Sequence, residues 1–220
     1  MATKVDIAGT NISASQMSEF FRLASLPSGS HVNRDTFQAY LERRNPFAFE
    51  RNEHGHIVLT ITGLDLAGVQ EIERLKNAGY CINDYAGQIL TSTKPDGYDA
   101  KHRLIVGQKY RIVLLPGNCI ARDSDRKTRN LRAEAEKLGY GKPLAGIVPR
   151  IRETVSDKQM EEMGIWYIAA LHETIPAVDG YPYVLYSYRY FDGRCLGGCW
   201  GDPDYRWIDD GAFAFVLPAS

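Results

Sequence analysis

The sequence predicts an α+β protein in two parts, with helices leading the N-terminal half and strands filling the C-terminal end. Three observations carry this. Apolar residues recur at three- and four-residue spacing between positions 15 and 44. Runs of aromatic and β-branched residues separated by turn formers occupy the chain from WYIAALHETI onward. Between these regions, TSTKPDGYDAKH (91–102) is rich in turn-forming residues and separates two self-contained orders of elements. The predicted division is a small helical and α+β domain over 1–95, followed by a second domain over 104–220.

Each element has its own signature. QMSEFFRLA and RDTFQAYLERR form a helical pair broken by LPSGSHVN, and HIVLTIT alternates as a strand. LAGVQEIERLKNAGY is an amphipathic helix that places Val69, Ile72 and Leu75 on one face, with Gly79 at its end. In the second half KYRIVLLP is a strand ending at Pro116. DSDRKTRNLRAEAEKLG is a helix with acidic residues at its start and Gly139 after its last turn. Ser156 and Gln159 stand in capping-box spacing at the head of SDKQMEEMG, whose Met160 and Met163 face the core. Strands follow: WYIAALHETI, YPYVLYSYRYF, the stretch RCLGGCWGDPDYRWIDDG, and GAFAFVLP, punctuated by VDGYP, FDG and DDG. The resulting order is strand, two helices, then mostly antiparallel strands.

Composition narrows the function classes. A 220-residue chain, 44% hydrophobic with a net charge of −1, can bury a substantial core and has no global basic excess to advertise nucleic acid. MATKVDIAGTNIS lacks the features of a secretory signal, and WYIAAL and AFAFVL are too short to cross a bilayer, so no membrane insertion is expected. The default location is cytoplasmic, with surface display open by another route. Four cysteines are too few for a disulfide scaffold and are read as reduced thiols.

The C-terminus is compositionally unusual. The first 173 residues contain 31 Lys, Glu, Gln and Met, yet the last 47 contain none, although about eight would be expected at the earlier frequency. A strand- and turn-rich segment accounts for part of that deficit. It does not account for Cys, Gly, Asp and Tyr crowding together between Trp200 and Trp207 and just before them.

The strand–helix–helix–strands order with paired tryptophans resembles a C-type lectin fold over about 104–220, and the depleted composition resembles the variable proteins of diversity-generating retroelements. In that family, adenines of a template repeat are copied inaccurately, so Asn codons of the form AAY become NNY. Such codons cannot encode Lys, Glu, Gln, Met or Trp. The resemblance implies a prokaryotic or viral ligand-binding protein, not an enzyme, with a diversified region at about 181–211, no cofactor or metal, and an unknown protein or surface ligand as partner. It implies a fixed scaffold of Trp200, Trp207, Phe213 and Phe215. The implied variable, outward-pointing positions are Tyr186, Ser187, Tyr188, Tyr190, Phe191, Cys195, Leu196, Gly197, Gly198, Cys199, Gly201, Asp202, Asp204, Tyr205, Ile208 and Asp209, all of them residue types reachable from AAY. Tyr with Ser, Gly and Asp also makes up paratopes, where Tyr supplies rigid amphipathic area.

Other readings stand beside this one. Cys195 and Cys199 form a CxxxC, the first residues to suspect in a cysteine-dependent enzyme of the formylglycine-generating type; no second Cys pair follows to complete a zinc site. Tyr181, Tyr183, Tyr186, Tyr188 and Tyr190 form a stripe that serves as core, as ligand face, or as a self-assembly surface of an interaction module. HGH (54–56) reads as a polar turn, and His172 as a satisfied core histidine rather than a general base. Arg122, Arg126, Lys127, Arg129, Arg132 and Lys137 alternate with acids, which favours a salt-bridged helix over a phosphate site. Asp202, Asp204, Asp209 and Asp210 are too few oxygens for the usual calcium shell.

Overall fold

The computed structural model describes residues 49–190 and 193–218, the backbone of 5–7 and 10–12, and Ser18 and Arg22. The helical pair expected between 15 and 44 lies outside the described residues apart from helical Ser18 and Arg22, as does Phe191. Two compact units divide the chain, Met1–Phe49 and Glu50–Ser220. In the first, β1 (Val5–Ile7) pairs antiparallel with β2 (Thr10–Ile12).

The second unit is mixed α and β, built on one nine-stranded sheet. In chain order its elements are β3 (Glu50–Arg51), β4 (Ile57–Thr62), α1 (Gly68–Asn77), β5 (Cys81–Ile82), α2 (Asp84–Leu90), α3 (Tyr98–Lys101) and β6 (Lys109–Pro116). After these come α4 (Thr128–Lys137), α5 (Ile147–Thr154), α6 (Asp157–Glu162), β7 (Tyr167–Ala170), β8 (Ile175–Pro176), β9 (Pro182–Tyr190), β10 (Gly193–Trp200) and β11 (Gly211–Val216). The strand order is β3-β4-β6-β11-β7-β9-β10-β5, with β8 on β9. All pairings are antiparallel except β11 with β7 and β10 with β5.

This topology moves the expected boundary. No division falls at 91–102, because β4 is hydrogen-bonded to β6 along its whole length and β5 to β10. The turn-rich segment is a connection that buries Tyr98 on the short α3. The order expected for the second half is also one helix short, and α2 and α3 were not expected in the first. IVPRIRET forms α5, whose Pro149 sits in the first turn, where a missing N–H costs nothing.

The capping box at Ser156 and Gln159 forms as expected, and Gly79 and Gly139 follow their helices at φ +80° and +75°. The buried face of α1 differs from the expected one. Gly68, Glu71 and Leu75 face inward while Val69 is exposed, because buried Arg150 of α5 pairs with Glu71 and holds a charge at the packed face.

The sheet is covered on both faces. Helices α2 and α5 pack on one, over Leu185, Ser187 and Leu196. On the other, α4 contributes Leu131 and Ala135 to a core with Val113, Leu115, Tyr167, Trp207, Phe213 and Phe215.

Candidate functional site: an arc of aromatic rings

Alternation along β9 places Val184, Tyr186, Tyr188 and Tyr190 on the α4 side of the sheet. The register with β10 sets Gly197 opposite Tyr186 and Cys195 opposite Tyr188. Tyr167 of β7 is opposite Tyr188 on the other flank. The five-tyrosine stripe expected from sequence therefore splits. Tyr183 faces the opposite side and stacks on Tyr85 of α2 at 4.6 Å, and Tyr181 precedes the strand.

The loop after β10 completes the site because it is sewn onto the start of α4. Thr128 N–H donates to Tyr205 O, Arg129 N–H to Pro203 O, and Trp207 N–H to Arg126 O. The Trp207 indole N–H donates to Thr128 Oγ1 at 3.0 Å. This seats Trp207 on Tyr167, at 5.8 Å between ring centroids, and against Phe213 at 5.3 Å.

The result is a continuous path of eight rings. Tyr190 meets Tyr188 at 6.5 Å, Tyr188 stacks on Tyr186 at 5.0 Å, and Tyr186 meets Tyr167 edge-on at 6.2 Å. From Tyr167 the path passes through Trp207 to Tyr205 at 5.0 Å, then to Trp200 at 6.5 Å and Tyr181 at 6.0 Å. Its middle is buried, with Tyr167 6% and Trp207 5% exposed. Its ends are open, with Tyr190 59%, Trp200 44% and Tyr181 57% exposed.

Burial raises the phenol pKa of Tyr167, Tyr186, Tyr188 and Tyr205, so they remain neutral at physiological pH. Cys199 and Tyr205 pack against the same core, and burial raises the Cys199 thiol pKa and so keeps it protonated. The arc thus offers flat apolar area with polar phenol tips and no net charge.

The expected variable positions divide into two groups. Tyr190, Asp204, Ile208 and Asp209 are exposed, and Tyr186, Tyr188, Cys199, Asp202 and Tyr205 are partly exposed. Ser187, Cys195, Leu196, Gly197 and Gly201 are buried, contrary to the outward orientation expected. Ser187 and Leu196 point under α2 and α5. A Cβ on Gly197 would lie 2.3 Å from the Tyr186 ring, and one on Gly201 would lie 2.5 Å from Thr174. Gly198 is partly exposed, yet its Cβ would meet Tyr85 and Ile89 of α2 at 2.7 and 2.8 Å. Among the expected scaffold residues, Trp207, Phe213 and Phe215 are buried. Trp200 is not, because it ends β10 and leans on Tyr181 and Tyr205 at the rim. Tyr167 was missed, because only the pairing of β7 with β9 brings it to the path, and Tyr181 was expected in the tyrosine stripe though not among the variable positions.

Several other polar groups singled out in the sequence have partners. Asp204 accepts from Lys127 and Arg129, which holds its carboxyl below the usual range. Buried Arg126 donates to Gly117 O, Ile120 O and Asp123, and Arg132 to the carbonyls of Leu171 and His172. HGH forms the turn between β3 and β4, where the Asn52 amide donates to the Tyr140 hydroxyl, itself 2.8 Å from His56 Nδ1. His172 is fully buried: Nε2 accepts from Leu185 N–H and Nδ1–H donates to Glu173 O. Burial lowers its pKa to about 3, so it is neutral. Among the described residues no three His, Cys, Asp or Glu side chains gather as metal ligands. No helix among the described residues is long and apolar enough to cross a membrane. No protein-family model, curated protein or solved structure matches this chain.

Proposed function

We propose that this chain is a ligand-recognition protein whose aromatic arc is the binding face, carried on a C-type-lectin-like arrangement of the second unit. One observation carries the reading: a path of eight rings is anchored in the core at Tyr167 and Trp207 and surfaces at Tyr190, Trp200 and Tyr181. Anchored rings present large area with little entropy left to lose on binding, which is how aromatic hot spots act. Phenol tips add hydrogen bonds without burying a charge.

We propose further that the diversified set joins four rings of the arc to non-aromatic positions on β10 and the loop after it, all of them at least partly exposed: Tyr186, Tyr188, Tyr190, Cys199, Asp202, Asp204, Tyr205, Ile208 and Asp209. Substitution there alters the ligand while Trp207, Phe213 and Phe215 hold the core.

An array of folded proteins and glycans probed with wild type and with a Tyr190→Ala/Trp200→Ala/Ile208→Ala variant tests the binding reading. Hits that weaken at least about tenfold in the variant support it, as loss of exposed apolar anchors should. Hits that the variant retains, or an array without hits, count against it. Sequencing the gene's 3′ end and flanks tests diversification separately, by presence or absence of a near-repeat carrying adenines at those nine codons.

A further inference from the structure

The sheet brings together two cysteines that lie far apart in sequence. β5 is a two-residue edge strand running parallel to β10, and its Cys81 is the register partner of Cys195. Register partners on adjacent strands point to the same face, about 4.7–4.9 Å apart in the direction of the ladder. That spacing falls inside the Cα separation that a disulfide spans, about 4.4–6.8 Å. Tyr188 is the register partner of Cys195 on the other flank, so its phenol lies on the same face as the two thiols. Cys81 is exposed and Cys195 is buried beneath it. No other pair is so placed: Cys199 is four residues along the same strand, and Cys119 follows the end of β6.

We propose that Cys81 and Cys195 are a redox-active dithiol that closes to an intramolecular disulfide in exchange with a low-molecular-weight disulfide such as oxidised glutathione. The exposed Cys81 thiolate attacks one sulfur of glutathione disulfide, forming a mixed disulfide and expelling one glutathione thiolate. Cys195, as thiolate, then attacks the Cys81 sulfur, and the second glutathione leaves. The two protein thiol protons end on the two glutathiones, and the two electrons reduce the oxidant. Cys195 is the slower partner, because burial pushes its thiol up to about 11, so closure accelerates as pH rises. The bond pins the edge strand to β10 and bridges a loop of more than a hundred residues, which restricts the unfolded chain strongly.

The test uses the full-length Cys119→Ser variant, free of the other exposed thiol, incubated with oxidised glutathione at mildly alkaline pH, alkylated and digested without reduction. The expected result is a cross-linked peptide pair containing Cys81 and Cys195, a melting temperature raised by several degrees, and reversal of both by dithiothreitol. Adding Cys81→Ser abolishes the pair and leaves Cys195 as a thiol. A glutathione adduct that persists on Cys81 while Cys195 is alkylated overturns the proposal, as does a Cys81 cross-link between chains or no change at all.

Discussion

The two faces of the sheet solve the same packing problem differently. Under α2 and α5 the contact is tight and backbone-close. Gly68 lets α1 approach the Leu90 carbonyl, where a Cβ would lie only 1.7 Å away, and Gly198 lets α2 approach β10. Several polar groups on that side are paired in place, as with Glu71 and Arg150 or His172 and Leu185. The opposite face is filled by large rings in series, and the series continues past the edge of the core into solvent. A close-packed face tolerates little change anywhere. A face built from rings tolerates change at its open ends while its anchored middle stays fixed, which is what a recognition surface requires.

The contrast is broken most severely at the anchored middle. Trp207→Ala removes the ring that joins Tyr167, Tyr205 and Phe213 and leaves Thr128 without its donor. It should cost about 3–5 kcal/mol in denaturant unfolding. Acid should act next, on the other face. The folded pKa of His172 lies far below the usual value of 6.5, so between pH 6.5 and about 3 the unfolded chain binds a proton that the folded chain does not. Stability contributed by neutral His172 is complete above that window and falls as pH drops through it. His172→Gln, whose amide oxygen can still accept from Leu185, should flatten this acid limb in unfolding curves taken across pH.

Gly198→Ala should cost about 1–3 kcal/mol through overpacking against Tyr85 and Ile89, and an aspartate there should cost more by burying a charge. An unchanged melting curve for Gly198→Ala would place α2 farther from β10 than described. Trp200→Ala should cost less than about 1 kcal/mol, far below Trp207→Ala despite the identical substitution, because its ring is at the exposed rim. Equal losses at the two tryptophans would erase the distinction between anchor and rim.

The strands with strong alternation and the capped helices were legible in the chain. KYRIVLLP gives β6 over the same eight residues, and the capping box at Ser156 and Gln159 starts α6. RCLGGCW was expected within a strand and forms β10, but which of its residues face inward was not legible, because its glycines mark close approaches to Tyr186 and α2, contacts that are tertiary. The boundary at 91–102 was misplaced for a related reason: turn formers mark a bend in the chain, whereas the pairing of β4 with β6 is long-range and leaves no local trace. For the site, the tyrosines of β9 were visible. That Tyr183 and Tyr186 face opposite sides follows from alternation along one strand, whereas the side that carries the rings and the outward or inward sense of Cys195, Leu196 and Gly197 required the neighbouring strands and layers.

The sheet's edges bear on how a tyrosine-rich molecule can limit edge-to-edge pairing. Along the described strands, the nine-stranded ladder terminates on both sides in two-residue strands, β3 and β5. Long, flat, exposed edges invite further strands and lead to fibres, and very short ones offer almost no ladder to extend. β3 adds charge, with both Glu50 and Arg51 exposed and Glu50 paired to Arg111. β3 pairs only Ile57 and Val58 of β4, and β5 only Cys195 and Leu196 of β10, so the strands that finish the sheet are themselves too short to template another chain.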